Sequence, residues 1–489
     1  MSQAKKLNVN VKYYLKLAVY LLITFGVGFL PPVGAITPLG MKILGVFIGT
    51  IYGWIVFEMV WPSFFALCAL SWIGYTSIGE GFASGLSYYM IPMMFACYIV
   101  VGVVVDSKAA LFIAQWIISR KITIGRPELI VLSVYIVAVV LGLCSTGFAG
   151  IFIVWGFLYA LADAMGFDKK TPWVQYVACT ICPLVVQGGQ CFPFYQGAIV
   201  YNGFFQNATK LPLDFVPFVV VNVGILLALT LVFFAILVFV IRPDFDSLRT
   251  DQDIYGKYRG NKMNWDQKWG IAILVAFVVL LTLPSVLPKE WAISGLLGKL
   301  EGVLGTSIVL AIVATWIRRK DGSTYYDMAK GSTKHISWPV MWMIVATIPL
   351  ADAFQLEDAG IVKTIMGFLT PLLGDMNPFL FAICCMILVG LTTQVVHNII
   401  LAIVFIPIFC NMVIGMGGNP YLVYIFMFWA LNLSFMTPAA SMTAVIMHGN
   451  EQCDVKYAYL YGFVILAVGM IVTVLIGGPL VGWMMPYGG

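Results

Sequence analysis

Four short polar islands interrupt otherwise apolar sequence, and they hold the residue types that could do chemistry. Two of them are Leu143-Cys144-Ser145-Thr146-Gly147 and Thr392-Thr393-Gln394-Val395-Val396-His397-Asn398. A third begins at Gln187-Gly188-Gly189-Gln190 and runs on through Phe192-Pro193-Phe194-Tyr195-Gln196-Gly197, and the fourth is Asn432, Ser434, Thr437-Pro438, Ser441 and Thr443. None contains Asp, Glu, Lys or Arg. Hydroxyls, amides and backbone N–H groups at a helix start, where about half a positive charge resides, can hold an anionic oxygen without a buried cation. The same turns offer carbonyl and hydroxyl oxygens that suit a hard monovalent cation. His397 adds an imidazole. An ionisable group inside a membrane segment points to a solute or proton pathway, and histidine titrates close to physiological pH; the competing reading is a hydrogen-bonded structural residue. Cys144 and His397 could also pair as nucleophile and base, but no carboxylate in either island would orient them. No Gly-x-x-x-x-Gly-Lys-Ser/Thr phosphate loop is present, which argues against an ATP-driven pump.

The elements that position these islands follow from composition. Of 489 residues, 61% are hydrophobic and 10% charged, so the solvent for most of the chain is lipid. A crossing needs roughly 20 apolar residues, and such stretches follow one another from Tyr13 to Met485, giving about eleven transmembrane helices. The first apolar run, Leu17 to Leu30, is read as a span and not a cleaved signal peptide. Two further segments, Leu129 to Leu161 and Pro378 to Met412, are too long for one crossing and are broken midway by the first two islands. Lys and Arg gather at the N-terminus, at Lys108 to Arg126, Lys169-Lys170, Arg242 to Lys268, Arg318 to Lys334 and Lys456. Placing them inside orients the chain in a plasma membrane with its N-terminus cytoplasmic and its C-terminus outside. The net charge of +5 then reflects topology and gives no reason to expect a nucleic-acid partner.

On that topology the first long segment starts and ends inside and the second outside, so each is a re-entrant hairpin. The expected fold is an all-α membrane protein of two inverted repeats. The first repeat is 1–243, with an inner hairpin at about 128–162 and a broken helix at about 172–202. A cytoplasmic linker covers 244–268. The second repeat is 269–489, with an outer hairpin at about 378–412 and a broken helix at about 420–447. Glycine and proline in the third and fourth islands interrupt the helix and free backbone groups that lipid cannot satisfy, which is tolerated only around a cavity or inside protein. Inverted repeats with broken helices are a recurrent transporter architecture. Gly45, Gly49 and Gly53, spaced by four, mark a close helix contact, read as intramolecular. The ten cysteines are read as small buried hydrophobes, without metal or redox chemistry.

With these elements in place the chain resembles the divalent anion/sodium symporter (DASS) family of the ion transporter superfamily, as a divergent member. Members carry Ser-Asn-Thr at both hairpin tips, a proline eight residues after the Thr, and a Thr-Pro-Pro-like break downstream. Here His397-Asn398-Ile399 followed by Pro407 stands at the second tip and Cys144-Ser145-Thr146 at the first, with Val154 in the proline position. Pro438-Ala439-Ala440-Ser441-Met442-Thr443 resembles the second break, Gly188-Gly189 to Gln196-Gly197-Ala198 the first, and Ile43 to Trp54 the family's early helix. The resemblance implies an elevator-type homodimer, in which hairpins and broken helices slide against a fixed scaffold, carrying a di- or tricarboxylate or similar oxyanion.

The expected substrate-binding residues are Ser145, Thr146, Gly189, Gln190, Gln196, His397, Asn398, Thr437, Ser441 and Met442. The expected cation-binding residues are Cys144, Ser145, Gly188, Asn398 and Ala439, with sodium ions as the only candidate bound cofactors. Cys144, His397 and Ile399 stand where the family has oxygen ligands, so proton coupling through His397, or exchange, is expected alongside sodium symport. A cation/proton antiporter or metalloid exporter of the same superfamily is the alternative, and a membrane enzyme acting on a lipid-borne substrate a remote one.

Overall fold

In a computed structural model the chain is helical almost throughout. The structure describes all residues except 1, 89, 124, 145–147, 165, 244–255, 288–290, 301, 337, 374–375, 396–397, 439 and 489, and not the side chains of 2–10, 90, 123, 148, 164, 196, 257, 282, 284–286, 292–293, 369–370, 372–373 and 400. Among the described residues the extended pairing is limited to one isolated bridge, Arg318 with Thr324. The protein is an all-α membrane protein. Among the described residues four helices are long and apolar enough to cross a bilayer, Val11–Phe29, Pro38–Val56, Phe215–Ile241 and Val455–Met484, and two bent helix pairs, Ile78–Ser87 with Ile91–Asp106 and Met328–His335 with Trp338–Gln355, are so when taken together. Several other apolar helices are shorter, such as Val60–Trp72 with 13 residues, roughly 20 Å of helix against a hydrocarbon core of about 30 Å, while Trp265–Val286 runs to 22 residues.

Packing divides the chain into two compact units that do not follow chain order. One comprises Met1–Pro92 and Ser337–Asn377. Its helix Pro38–Val56 is capped by Thr37, whose hydroxyl accepts from Gly40 N, and presents Gly45 and Gly49 to the first helix. A Cβ at Gly49 would lie 2.1 Å from Thr24 Oγ1, and one at Gly45 2.7 Å from Thr24 O. The four-residue glycine spacing therefore seats a neighbour within the same unit, as small-residue faces do in membranes. Tyr20, fully buried, packs among the rings of Phe57, Trp61 and Phe65. Trp338–Gln355 lies along Val60–Trp72 and Ile78–Ser87.

The other unit comprises Met93–Ile336 and Pro378–Gly489. It contains two helix pairs, Pro127–Leu143 with Phe148–Ala164 and Pro378–Thr392 with Asn398–Gly415, and in each the arms pack together. It also contains two interrupted helices. Pro172–Gln190 stops, the chain turns through Cys191 to Tyr195, and Gln196–Thr209 follows; likewise Pro420–Asn432 stops and Met442–His448 resumes after nine residues of turn. Pro172 and Pro420 each sit in the first helical turn, where the missing N–H is no loss and the fixed φ favours a start. Trp429, Tyr424, Phe428, Phe218 and Tyr176 fill the core between them.

Polar ties close the ends of this unit. Lys170 pairs with Asp454 at 3.0 Å. The hydrogen bonds from Lys170 and Gln175 hold the Asp454 carboxyl below the ordinary carboxylate range. His335 bonds Asp106 at 2.9 Å beside Lys334.

Candidate functional site

The second helix pair and the second break are fastened by one glutamine. Gln394, 3% exposed, donates from Nε2 to Gly390 O at 2.8 Å and to Leu433 O at 3.3 Å. Its Oε1 accepts from Met436 N at 2.9 Å, and its own carbonyl accepts the Thr437 hydroxyl. One side chain thus satisfies backbone groups on both sides of a turn where the helix no longer can. Beside it, Asn398 donates to Ser434 Oγ at 3.2 Å and accepts from Thr393 Oγ1 at 3.4 Å, while the Tyr201 phenol reaches the same Asn398 side chain. Ser441 caps the short helix Met442–His448 by accepting from Ala444 N, and donates to Ser434 O at 2.8 Å. His448 Nε2 donates to Phe435 O at 3.1 Å, which gives that imidazole a structural role.

The first break is built differently. Gly142 and Gly188 bring the helices Pro127–Leu143 and Pro172–Gln190 into backbone contact: a Cβ at Gly188 would lie 2.7 Å from Gly142 Cα. The Tyr195 ring lies on Gly189, and the Gln190 amide on Gly197, where a Cβ would meet Nε2 at 2.3 Å. Asn202 donates to Pro193 O at 3.4 Å and receives the Tyr424 hydroxyl, so the first break is tied to the helix that leads into the second.

Three buried amide atoms here have no protein partner. Gln187 is fully buried, and neither its Oε1 nor its Nε2 has a hydrogen-bond partner; Gln190, 7% exposed, has an unpaired Oε1. A buried polar group left unpaired destabilises by about 1–3 kcal/mol, so these amide atoms beside the break are available to a polar ligand. Gln187→Leu should therefore raise Tm by a few degrees and weaken ligand-induced stabilisation. Thermal unfolding with and without a panel of small carboxylates measures both, and a lowered Tm would show that the amide is structurally satisfied.

Of the residues expected from sequence, Asn398, Thr437 and Ser441 gather around the second break, and Gly188, Gly189 and Gln190 around the first, where Gln196 opens the following helix. Cys144 ends the first arm and is buried, lining an apolar cavity with Leu143, Val104, Phe194 and Phe277. Met442 is 61% exposed. Ser145, Thr146, His397 and Ala439 lie outside the described residues, as does the side chain of Gln196. Gln187, Thr393, Gln394 and Ser434 stood in the polar islands without being singled out; a glutamine or hydroxyl inside an apolar run is the signal that marks them. Tyr201 sits in the run Ala198 to Tyr201 and carries no such signal. Among the described residues, no hydrogen-bond partner of Gln394 or Asn398 is charged.

No family model matches the chain. Over 282 residues it is 20% identical to the sodium-dependent dicarboxylate transporter SdcS of Staphylococcus saprophyticus, an alignment that covers 57% of this chain and 53% of that protein. Over 216 residues it is 22% identical to SdcS of Staphylococcus aureus, covering 44% of this chain and 40% of that one. An uncharacterized transporter of Escherichia coli, YfbS, is 27% identical over 147 residues, 29% of this chain and 24% of its own. The chain spans about half the length, or less, of the curated relatives it matches. Among solved structures it is similar to the Alcanivorax borkumensis YdaH transporter, with a TM-score of 0.57 at 13% identity, covering 86% of this chain and 90% of that chain. That likeness extends over nearly the whole fold and is a likeness of fold alone. With the apolar helices it makes the chain a multi-pass membrane protein.

Proposed function

We propose that the protein is a secondary transporter, not an enzyme, that moves a small organic anion, a di- or tricarboxylate or similar oxyanion, across the plasma membrane. The observation that carries this reading is one compact unit in which two helix pairs and two broken helices meet through neutral donors. Buried amides in that unit lack protein partners. Neutral amides, hydroxyls and helix N-termini can hold a carboxylate and still release it, whereas a buried Lys or Arg would bind it as a lasting ion pair. The named dicarboxylate transporters among the similar sequences supply the substrate class. On this reading the chain is two inverted repeats joined by the 244–268 linker, with its N-terminus inside and its C-terminus outside. It works as a homodimeric elevator, coupled to sodium at the break carbonyls or to protons through His397, or acting as an exchanger.

Asn398 is the residue on which the substrate test turns, since it is the tip amide that three other side chains hold in place. Asn398→Ala should weaken substrate uptake into proteoliposomes by about tenfold or more, the equivalent of one hydrogen bond to a charged group at about 1.5–3 kcal/mol. Sodium and proton gradients applied separately identify the coupling ion. Wild-type protein that takes up no labelled dicarboxylate under either gradient, or in exchange for internal substrate, would overturn the anion reading. Proton-coupled cation efflux in the same vesicles would install the antiporter in its place.

A further inference from the structure

Taken singly, the ten cysteines are small residues in apolar stretches, but the fold of the larger unit brings two of them together. Cys179 stands in the helix Pro172–Gln190, and Cys453 in the turn between Met442–His448 and Val455–Val472, 274 positions further on. Their Sγ atoms lie 3.5 Å apart. The same place is fastened by Gln175, one helical turn before Cys179. Its Oε1 accepts from Asp454 N at 3.0 Å and lies 3.8 Å from Cys453 Sγ, while its Nε2 donates to Lys170 O at 2.7 Å. With the ion pair of Lys170 and Asp454, these contacts join the start of the first broken helix to the turn that follows the second. Cys182, the near neighbour in sequence, donates its thiol to Ala178 O at 3.3 Å, back into its own helix.

The two thiols differ in access. Cys179 is fully buried, whereas Cys453 is 8% exposed and adjoins Asp454, whose side chain reaches solvent with that of Lys170. A small oxidant arriving from solvent therefore meets Cys453 first, with Cys179 already behind it as a resolving thiol. A disulfide bond is about 2 Å long, so the sulfurs must approach by roughly 1.5 Å. Cys453 lies in a turn between two helices and can make that move, while Cys179 stays fixed in a packed helix.

We propose that Cys179 and Cys453 form a dithiol site that a peroxide oxidises reversibly to a disulfide. The Cys453 thiolate attacks one peroxide oxygen, the O–O bond breaks, and with the thiol proton the leaving oxygen departs as water, which leaves a sulfenic acid on Cys453. The Cys179 sulfur then displaces the sulfenic oxygen, which takes the Cys179 proton and departs as a second water. Two thiols and one peroxide thus become one disulfide and two waters, and a dithiol reductant reverses the change. The site does not depend on the transport reading, since neither cysteine belongs to the hairpin tips or the breaks. On the topology proposed above it lies on the cytoplasmic side, where disulfides form transiently and report on oxidants. Once closed, the bond ties the helix that stops at Gln190 to the turn behind the short helix Met442–His448, and removes the freedom of either to shift against the other.

Peptide mass spectrometry of the purified full-length chain in detergent tests this. The reduced protein, freed of reductant, is treated with submillimolar hydrogen peroxide, alkylated with N-ethylmaleimide in denaturant and digested without reduction. The peptide that carries Cys179 should be recovered linked to the one that carries Cys453, and dithiothreitol should release both. Because the bond closes a loop of 274 residues, peroxide should also raise Tm by several degrees, reversibly. Cys453→Ser should lose the linked peptide and the peroxide-dependent rise, and Cys182→Ser should keep both. Wild-type protein in which maleimide still labels Cys179 and Cys453 after peroxide would overturn the proposal. So would a sulfinic acid on Cys453 beside a free Cys179 thiol, or a link between Cys179 and Cys182 in place of the one expected.

Discussion

Gln394→Leu is expected to lower Tm by at least several degrees and to abolish uptake. The substitution keeps the side-chain volume nearly constant, so packing is not what it tests. It removes the acceptor of Met436 N and the donor to Gly390 O and Leu433 O, three backbone groups that the wild-type amide reaches at 2.9, 2.8 and 3.3 Å. Two of these lie in the turn after Asn432, where no helical partner exists to replace the lost bond. Each buried group left unpaired costs about 1–3 kcal/mol, so the sum is a large part of the stability of a marginally stable fold. Gln394→Glu divides the effect, because a carboxylate retains the acceptor for Met436 N and loses only the donor. Thermal unfolding in detergent and hydrogen exchange at the Met436 amide measure the two contributions. A Gln394→Leu protein with wild-type Tm and a protected Met436 amide would show that the turn is held by something else.

Much of this arrangement is legible in the sequence, for a definite physical reason. Helix breaks announce themselves through glycine, proline and polar residues in apolar stretches. For that reason the interruptions after Gln190 and Asn432 fall inside the third and fourth islands. The glycine spacing at Gly45, Gly49 and Gly53 is equally direct, since close approach needs the absence of a side chain and little else. The role of an individual polar side chain is harder to read, because it depends on which neighbour the turn brings to it. Ser441 has the right type and place for a ligand contact, yet its hydroxyl accepts from Ala444 N and donates to Ser434 O. Gln394 gave no more sign than any glutamine, and Tyr201 gave none. Domain organisation differs in kind: the sequence divides the chain by its symmetry at the central polar connection, whereas packing groups Met1–Pro92 with Ser337–Asn377. A compact unit assembled from distant segments leaves no mark on composition at its borders.

The crossing at Gly142 and Gly188 yields the other large effect, and it concerns backbone, not hydrogen bonding. A Cβ at Gly188 would sit 2.7 Å from Gly142 C and Cα and 2.8 Å from Leu143 N; one at Gly142 would sit 2.5 Å from Val185 O. Every atom in the way is main chain, so no rotamer change can relieve the overlap, and the two helices must separate. They are the arm that ends at Cys144 and the helix that stops at Gln190, and separation displaces the end of that arm from the first break. Gly188→Ala should therefore cost about 1–3 kcal/mol or more, the range for overpacking a tight contact, and Gly188→Val more than that. Uptake should fall sharply in both, since the position of Gln187 and Gln190 moves with the helix. Gly156→Ala is the matched control. It lies on the partner arm Phe148–Ala164 with nothing within 4 Å of an added Cβ, so helix propensity should make it neutral or stabilising by up to about 1 kcal/mol. Thermal unfolding and proteoliposome uptake on the three variants read out the comparison. Gly188→Ala and Gly156→Ala behaving alike would mean that the two helices have room to move apart at no cost, and that the glycine pair does not set the distance between them.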